Sequence, residues 1–260
     1  MFHKDILVAR WTVIAVAILA STLFCGTLPG ALAQPASPAE DAAIALSLAE
    51  MLRDARTIVS NNQTRINDPE LGDKGLTGKV VLDQAVQLYK EHMNVDPATI
   101  DANSRHGRLL RAMMASIAEV IDADQDTINA KGVGFKGFIP AVFGRLVSEA
   151  FARHAGGDAE IKVTAPPELV RNRKSRPDTW EESIIKTKLV DPGWLRGNPY
   201  SALAAAKGRS AYRVMVPEYY AQSCLSCHGS PKGEMDITGY PKEGGKLDDL
   251  GGVISITLYR

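Results

Sequence analysis

Cysteine is scarce in this sequence, with three residues in a chain of 260. So few cysteines exclude a scaffold held together by disulfides. Neither sign of charge is in excess, because 30 basic side chains balance 30 acidic ones. We therefore do not expect a nucleic-acid partner recognised through bulk positive charge. With 45% hydrophobic and 23% charged residues, the composition is that of a globular protein and excludes a disordered or fibrous chain.

The first 33 residues have the pattern of a signal peptide. Lys4 and Arg10 provide a positive start, residues 11–24 are apolar or small, and Ala31-Leu32-Ala33 is a small-x-small cleavage pattern. We predict cleavage after Ala33 and export to the periplasm, with no stable membrane span in the mature chain. An N-terminal membrane anchor is the alternative, although the apolar run is shorter than the roughly 20 residues that a span requires.

The two cysteines left after cleavage lie three positions apart and are followed at once by a histidine. Cys224, Cys227 and His228 form a C-x-x-C-H pattern, which is the signature of covalent c-type haem attachment. Thiols at this spacing can bond to the two vinyl groups on one edge of a porphyrin, while the histidine serves as an axial iron ligand. The sequence therefore predicts one covalent haem c, with His228 as the metal ligand.

Other roles for the cysteine pair fit the sequence less well. A structural zinc site needs about four ligands, and there is no second cysteine pair. A thioredoxin-like pair needs a βαβ context, which the residues before Cys224 do not indicate. An inert disulfide across two residues would be strained and would stabilise little. Motifs of hydrolases and phosphate-binding enzymes are absent from the sequence, so we expect a binding or electron-transfer protein rather than an enzyme.

Helical patterns come first along the chain and strand patterns come late. A capping box at Ser37 with proline at the first helical position begins the first helix. Helices are predicted over 37–62, 79–93, 104–123 and 140–154, with shorter ones over 179–189 and 200–206. Strands are predicted over 161–164, 211–216 and 253–259. This order indicates an α+β protein whose antiparallel sheet carries the haem on one face.

We expect three parts in the chain: the signal peptide at 1–33, an N-terminal amphipathic helix at 34–62 and a haem-binding domain at 63–260. A short repeat lies in the helical part. A shift of 62 positions gives six identities, which pair Gln63 with Gln125, Ile66 with Ile128, Asn67 with Asn129, Gly72 with Gly134, Lys74 with Lys136 and Gly75 with Gly137. Either similar helix joints select similar turn residues, or the segment was duplicated. Neither interpretation names a ligand.

Several linked motifs resemble one protein family. They are GFKGFIP at 134–140, RNRKSRPD at 171–178, PEYY at 217–220 and GYPKEG at 239–244. In this order, and over nearly all of the mature chain, they are similar to the Tll0287-like family of exported c-haem proteins, also described as a domain of unknown function. The resemblance implies a PAS-like fold, an antiparallel sheet flanked by helices, with one covalent haem.

The resemblance also orders the functional expectations. Members of the family include the extracytoplasmic sensor parts of signalling proteins, so a haem-based redox or gas sensor is the first expectation. A periplasmic electron-transfer cytochrome is the alternative, and a haem enzyme such as a peroxidase is the third. A redox or signalling protein is the expected partner.

The sequence departs from the family's cyanobacterial type at the second axial ligand. That type uses a cysteine from its N-terminal region, whereas here the only cysteine outside the motif is Cys25, inside the predicted signal. The sixth position is therefore open or taken by another side chain. The candidates are Met51, His92, His106 and His154.

Residues near the motif have smaller expected roles. Tyr219 and Tyr220 shortly precede Cys224, and we expect them to contact the haem and shield it from water. Packing within the sheet is an equally consistent role. A run of four cationic side chains has two expected roles. It pairs with haem propionates or an acidic partner, or it is an ordinary solvated loop. It consists of Arg171, Arg173, Lys174 and Arg176.

Overall fold

The computed structural model describes residues 37–260. The predicted signal peptide, its cleavage site and Cys25 lie outside the described residues. Six helices come first: α1 (Pro38–Asn61), α2 (Gln63–Ile66), α3 (Gly78–Met93), α4 (Arg105–Ala123), α5 (Gln125–Ile128) and α6 (Pro140–His154). The four long helices are those predicted from the apolar spacing. Within residues 37–260, no helix is long and apolar enough to cross a membrane.

The second half of the chain contains the sheet. Its elements are β1 (Ala159–Thr164), α7 (Thr179–Ile184), β2 (Tyr200–Ala206), β3 (Arg209–Tyr219), α8 (Leu225–His228) and β4 (Leu250–Tyr259). A π-helical turn, Ile185–Leu189, continues α7. The strand order is β1-β4-β3-β2, and every neighbouring pair is antiparallel. The predicted α+β class, an antiparallel sheet flanked by helices, is confirmed.

Helix α1 supplies much of the core. Ser37 caps it by accepting a hydrogen bond from the backbone N–H of Glu40, and Pro38 opens its first turn. Its apolar seam is fully buried against α3, α4, α6 and the sheet. The buried seam includes Ile44, Leu48, Met51, Leu52 and Ala55. These are the positions at which helical spacing predicts a core face.

The two faces of the sheet are covered by different helices. Alternate residues of a strand point to opposite faces, and in β3 Val214 and Val216 join the core formed with the long helices. Met215 instead packs against the π-helical turn through Ile185 and Leu189. The middle of β3 is therefore buried on both sides, whereas its first residues, Arg209 and Ser210, are exposed and its last, Tyr219, is partly exposed.

The helix predicted over 200–206 is wrong, because these residues form the edge strand β2. The segment is rich in alanine, which favours a helix in isolation. A two-residue turn with positive φ at Lys207 and Gly208 instead folds it back onto β3, from Ala206 opposite Arg209 to Tyr200 opposite Met215. Pairing along a whole strand outweighs the weak helical preference of the alanines.

The repeated residues exchange hydrogen bonds between the two helix joints. Asn129 accepts a bond from the backbone N–H of Lys74 at 2.9 Å, and Asn67 accepts one from that of Lys136 at 3.0 Å. The glutamines do the same, with Gln125 donating to the carbonyl of Leu76 and Gln63 to that of Phe138. The two joints thus cap each other, and this reciprocal bonding accounts for the asparagine and glutamine identities without a ligand.

Candidate functional site around the C-x-x-C-H motif

The C-x-x-C-H motif lies on a short helical stretch immediately after the central strand β3. A 3-10 turn covers Gln222–Cys224 and α8 begins at Leu225. Residues three apart on a helical turn share a face, so Cys224 and Cys227 present their sulfurs to the same side. Both thiols are free and partly buried, and burial raises the pKa of Cys227. The pair is available for covalent attachment rather than locked in a disulfide.

His228 is oriented by a carboxylate. Its Nδ1 lies 2.8 Å from Oε2 of Glu243, and its side chain is partly exposed. When Nδ1 donates to a carboxylate, the lone pair of a neutral imidazole lies on Nε2. Histidines that bind metals in proteins are commonly held in this way through the other ring nitrogen. The arrangement leaves Nε2 as the ring nitrogen that could bind a metal.

Arg171 holds Glu243 in the position from which it contacts His228. Its guanidinium makes a two-pronged contact with Glu243 at 2.8 and 3.1 Å, and it reaches Oδ2 of Asp236 at 2.6 Å. It also donates to the carbonyl of Cys227 at 3.0 Å. One arginine thus joins the motif, Glu243 and Asp236, and its charge is already used by protein carboxylates rather than left for haem propionates.

The pKa values of the two carboxylates follow from this contact. Burial alone would raise the pKa of Glu243, but hydrogen bonds from Arg171 and His228 outweigh it and hold the pKa below its usual value. Burial likewise opposes ionisation of Asp236, yet Thr238 and Arg171 hold its pKa far below the usual value. Both carboxylates are therefore charged at neutral pH, and Arg171 faces two negative partners.

A loop that follows the motif is hydrogen-bonded back to it. The backbone N–H groups of Gly244 and Gly245 donate to the carbonyls of Gly229 and His228, at 3.0 and 2.7 Å. This places Glu243 beside the histidine ring. The same loop exposes several large apolar side chains to solvent, namely Met235, Ile237, Tyr240 and Leu247. Apolar side chains gathered beside a cofactor motif form a surface that an apolar ligand can cover.

Tyr220 stacks on His228. The two rings have centroids 5.1 Å apart and planes 18° apart. The tyrosine is wedged between two glycines, because a Cβ at Gly251 or Gly245 would approach its ring to 2.3 or 2.5 Å. Its hydroxyl is buried and has no hydrogen-bond partner among the described residues. Burial raises the pKa of Tyr220 to about 12.

Tyr219 faces a different neighbourhood. Its hydroxyl accepts a hydrogen bond from the backbone N–H of Gly197 at 3.1 Å, and the guanidinium of Arg196 lies 4.1 Å from its ring centroid. Successive residues at the end of a strand point to opposite sides, which explains why the two tyrosines separate. The structure brings Tyr220 onto the motif histidine and places Tyr219 under Arg196.

The rest of the cationic run is directed away from the motif. Lys174 contacts Glu149 on α6 at 3.0 Å, and Arg173 is exposed. The backbone carbonyl of Arg176 accepts a bond from Lys162 of β1. The run therefore divides into one arginine, Arg171, that organises the motif and three residues at the surface.

The four candidates for a sixth ligand are engaged within the helical part. Met51 is fully buried in the core, and Nε2 of His106 lies 2.8 Å from the hydroxyl of Ser47. Burial lowers the pKa of His106. His92 contacts Asp54 at 2.8 Å, and His154 contacts Glu119 at 2.6 Å. Within residues 37–260, no hydrogen bond or ion pair joins any of the four to the motif.

The sequence alone does not identify the residues that position His228. Glu243 lies fifteen positions after the histidine and Arg171 more than fifty before it, and no local spacing connects them. Both residues do lie inside the segments that carry the family resemblance, RNRKSRPD and GYPKEG. Those two segments are the signal that the sequence offers, and the structure brings one charged residue from each of them together beside His228.

Fold and motif together define a class: an α+β protein with a C-x-x-C-H motif at the end of the central strand of its antiparallel sheet. The chain belongs to the Tll0287-like family, whose model matches residues 39–258. This membership is consistent with a haem-type protein. No curated protein and no solved structure matches the chain significantly.

Proposed function

We propose that this chain is an exported mono-haem c-type cytochrome that acts as a haem-based redox or gas sensor. Cys224 and Cys227 hold the haem through thioether bonds, and Nε2 of His228 is the axial ligand. The observation that carries the proposal is the hydrogen bond between Nδ1 of His228 and Glu243, 2.8 Å long and backed by Arg171, directly beside two free thiols. It gives the histidine the orientation that a metal ligand needs.

The residues around the motif suit a haem in three respects. Two thiols on one face of a helical turn match attachment along one porphyrin edge. The exposed apolar side chains of the 235–247 loop offer a surface for an apolar ring. The buried hydroxyl of Tyr220 has no acceptor among the described residues, and an oxygen-bearing group such as a propionate would provide one.

The protein's own part in the function is to bind, orient and tune. The haem iron supplies one-electron chemistry and a site for diatomic ligands. Glu243 orients His228, while Arg171 keeps Glu243 charged. Tyr220 covers one face of the histidine ring and excludes water from it. A carboxylate held as an anion behind the histidine, as Glu243 is, would favour the oxidised state of an iron bound to Nε2.

A periplasmic electron carrier is the second candidate. It is favoured by the position of the motif, since Ser223 and Ser226 are exposed on either side of Cys224. A cofactor attached there has an edge near the surface, where a redox partner can approach it.

Attachment is tested by replacing Cys224 and Cys227 with serine. Acid-acetone should leave the haem on the wild-type protein and extract it from the double variant. Retention of colour in the variant after extraction would exclude thioether attachment. His228→Ala should keep the haem attached but shift its Soret band and reduction potential, and an unchanged spectrum would exclude His228 as the ligand.

Sensor and carrier are separated by an absorption spectrum of the purified protein with and without carbon monoxide. A sensor needs an open or displaceable sixth position, so we expect the reduced protein to bind carbon monoxide rapidly. A low-spin spectrum that is indifferent to carbon monoxide in both oxidation states would favour the carrier instead.

Export is part of the proposal and rests on the first 33 residues of the sequence. The mature protein should begin at Gln34 and be recovered from the periplasm. N-terminal sequencing of the haem-loaded protein tests this cleavage, and an intact N-terminus in the membrane fraction would favour the anchored alternative.

A further inference from the structure

A second cluster of metal-ligating side chains lies between α1 and α3, apart from the motif. Glu50 and Asp54 are four positions apart on α1 and so share a helix face. His92, in the last turn of α3, faces both of them. Its Nδ1 lies 2.8 Å from Oδ1 of Asp54 and 3.3 Å from Oε1 of Glu50. One donor atom from each of the three lies within 4.8 Å of the other two.

One oxygen in this cluster has no partner. The side chain of Asp54 is only 1% exposed, and its Oδ2 accepts no hydrogen bond from the described residues. A buried carboxylate oxygen without a donor costs free energy, because it has lost water and gained nothing in return. A cation bound between the three side chains would remove that cost. The unpaired oxygen is evidence for a ligand that is independent of the clustering itself.

The two nearby arginines, Arg53 and Arg56, pair with glutamates and not with the free oxygen of Asp54. Arg53 contacts Oε2 of Glu50, the oxygen that does not face His92, at 2.5 Å, and it also reaches Glu218 at 3.5 Å. Arg56 pairs with Glu218 at 2.5 Å. Oε1 of Glu50 therefore remains directed at the histidine. Because the two arginines contact Glu50 and Glu218, Asp54 has His92 as its only direct partner, with a weaker attraction from Arg53 and a repulsion from Glu50.

The donor set selects the kind of cation. An imidazole nitrogen with two carboxylate oxygens suits a divalent transition cation such as Zn²⁺, whereas Ca²⁺ and Mg²⁺ prefer ligands that are all oxygen. The side chain of His92 is about half exposed, so solvent can reach the place and a water can complete a four-coordinate shell. Zinc with three protein ligands and one water is a common arrangement.

We propose that Glu50, Asp54 and His92 form a binding site for one zinc-type divalent cation. The cation takes the place of the proton shared by His92 and Asp54: the lone pair of Nδ1 binds it, and the displaced proton leaves to solvent. Binding joins α1 to the end of α3 and stabilises the fold. It also engages His92, which removes that residue from the candidates for the sixth haem ligand. The proposal does not depend on whether haem is bound.

The test is a calorimetric titration of the purified full chain, freed of affinity tag, treated with EDTA and carrying Cys224→Ser and Cys227→Ser so that the thiols of the motif cannot bind the metal, with Zn²⁺ as the probe. We expect one strong site per chain and a rise in the thermal midpoint with Zn²⁺, as ligand binding to the folded state requires. Asp54→Asn and His92→Ala should each weaken binding by at least about tenfold. Asp54→Asn preserves size and removes a buried charge, so it should fold.

His154→Ala is the matched control. His154 also contacts a carboxylate, Glu119, but both are exposed, and among residues 37–260 no second acid joins them in a metal-ligating group. This variant should bind Zn²⁺ as the parent protein does. Absence of a strong one-to-one site in the parent protein, or equal affinity in Asp54→Asn, would overturn the proposal. Equally tight binding of Ca²⁺ that survives His92→Ala would also overturn it, because the acids alone would then be the site.

Discussion

Two histidine–carboxylate pairs in this chain have the same geometry and opposite surroundings. Nδ1 of His228 lies 2.8 Å from Glu243, and Nδ1 of His92 lies 2.8 Å from Asp54. Behind Glu243 is the guanidinium of Arg171, whereas beside Asp54 is a second carboxylate, that of Glu50. A positive neighbour favours the charged form of a carboxylate, and a negative neighbour opposes it.

The carboxylate pKa values record this difference. Arg171 helps hold the pKa of Glu243 below its usual value. Burial, with Glu50 adding to it, raises the pKa of Asp54 to about 6. The negative charge of Glu243 is thus balanced by Arg171, whereas the pair at Asp54 has excess negative charge and an unpaired oxygen. The distance between histidine and carboxylate therefore does not define the role of such a pair. The role depends on the charge of the residue next to the carboxylate.

Removing the guanidinium of Arg171 should lower the free energy of unfolding most, because Glu243 then lacks a guanidinium partner, as Asp54 does. Arg171→Met leaves Asp236 and Glu243 facing each other without a cation, and breaking such a pair costs about 3–5 kcal/mol. We expect the free energy of unfolding to fall by about that amount in denaturant titrations at neutral pH. Arg173→Met, two positions along and exposed, is the control and should change it little.

The pH dependence of the Arg171 effect has a definite sign. Because the folded-state pKa values of Glu243 and Asp236 are lowered, their contribution is present above the ordinary values of 4.5 and 3.8. It is lost as the pH falls toward the lower folded-state values. The gap between wild type and Arg171→Met should therefore narrow in acid, and a gap that widens in acid would contradict the pairing.

The helical half of the molecule was largely predictable from sequence, and the reason is physical. Helix α1 is specified by local features, a serine cap and apolar residues every three or four positions, so its bounds of 38–61 agree with the expected 37–62. Strand β2 was not predictable in the same way, because its alanines favour a helix and only pairing with β3 makes them a strand. Local patterns identify elements whose stability is local.

The candidate site shows the same limit. Cys224, Cys227 and His228 are adjacent in sequence and were recognised from their spacing. Glu243 and Arg171 reach His228 through folding of distant loops, and the fit of Tyr220 between Gly245 and Gly251 is a tertiary contact. Separation in sequence therefore decided which members of the site could be found without a structure.

Removing the excess charge of the second pair should have the next largest effect, and in the opposite direction. Asp54→Asn keeps an acceptor for His92 and removes a buried charge beside Glu50. In EDTA, we expect it to raise the free energy of unfolding by roughly 1–2 kcal/mol, or several degrees in the thermal midpoint. A loss of stability in EDTA would show that the charge of Asp54 is compensated.

The pH dependence again has a definite sign. Since the pKa of Asp54 is raised to about 6 in the folded state from 3.8, ionisation costs stability as the pH rises through this range. The gain from Asp54→Asn should be complete above pH 6 and absent below 3.8. Thermal unfolding in EDTA at several pH values measures it, and a gain that is larger in acid would exclude the assigned cause.

A smaller effect is expected from the unpaired hydroxyl above His228. Tyr220→Phe keeps the ring that stacks on the histidine and removes a buried polar group with no partner among the described residues. In protein without haem, the change should be neutral or stabilising by up to about 1 kcal/mol. In haem-loaded protein it should be less favourable if the hydroxyl donates to the cofactor. Equal effects in both forms would show that the hydroxyl faces no part of the haem.

The smallest effect should come from the third histidine–carboxylate pair, which is the exposed reference for the other two. His154 contacts Glu119 at 2.6 Å, with Arg153 on the other oxygen. The contact is as short as those of the other two pairs, but its carboxylate is far more exposed than Asp54 or Glu243. Water therefore screens the charges, and exposed ion pairs contribute little. His154→Ala should change the free energy of unfolding by no more than about 0.5 kcal/mol. A loss comparable to that of Arg171→Met would mean that contact distance alone governs these pairs, and the comparison between Glu243 and Asp54 would then have no electrostatic basis.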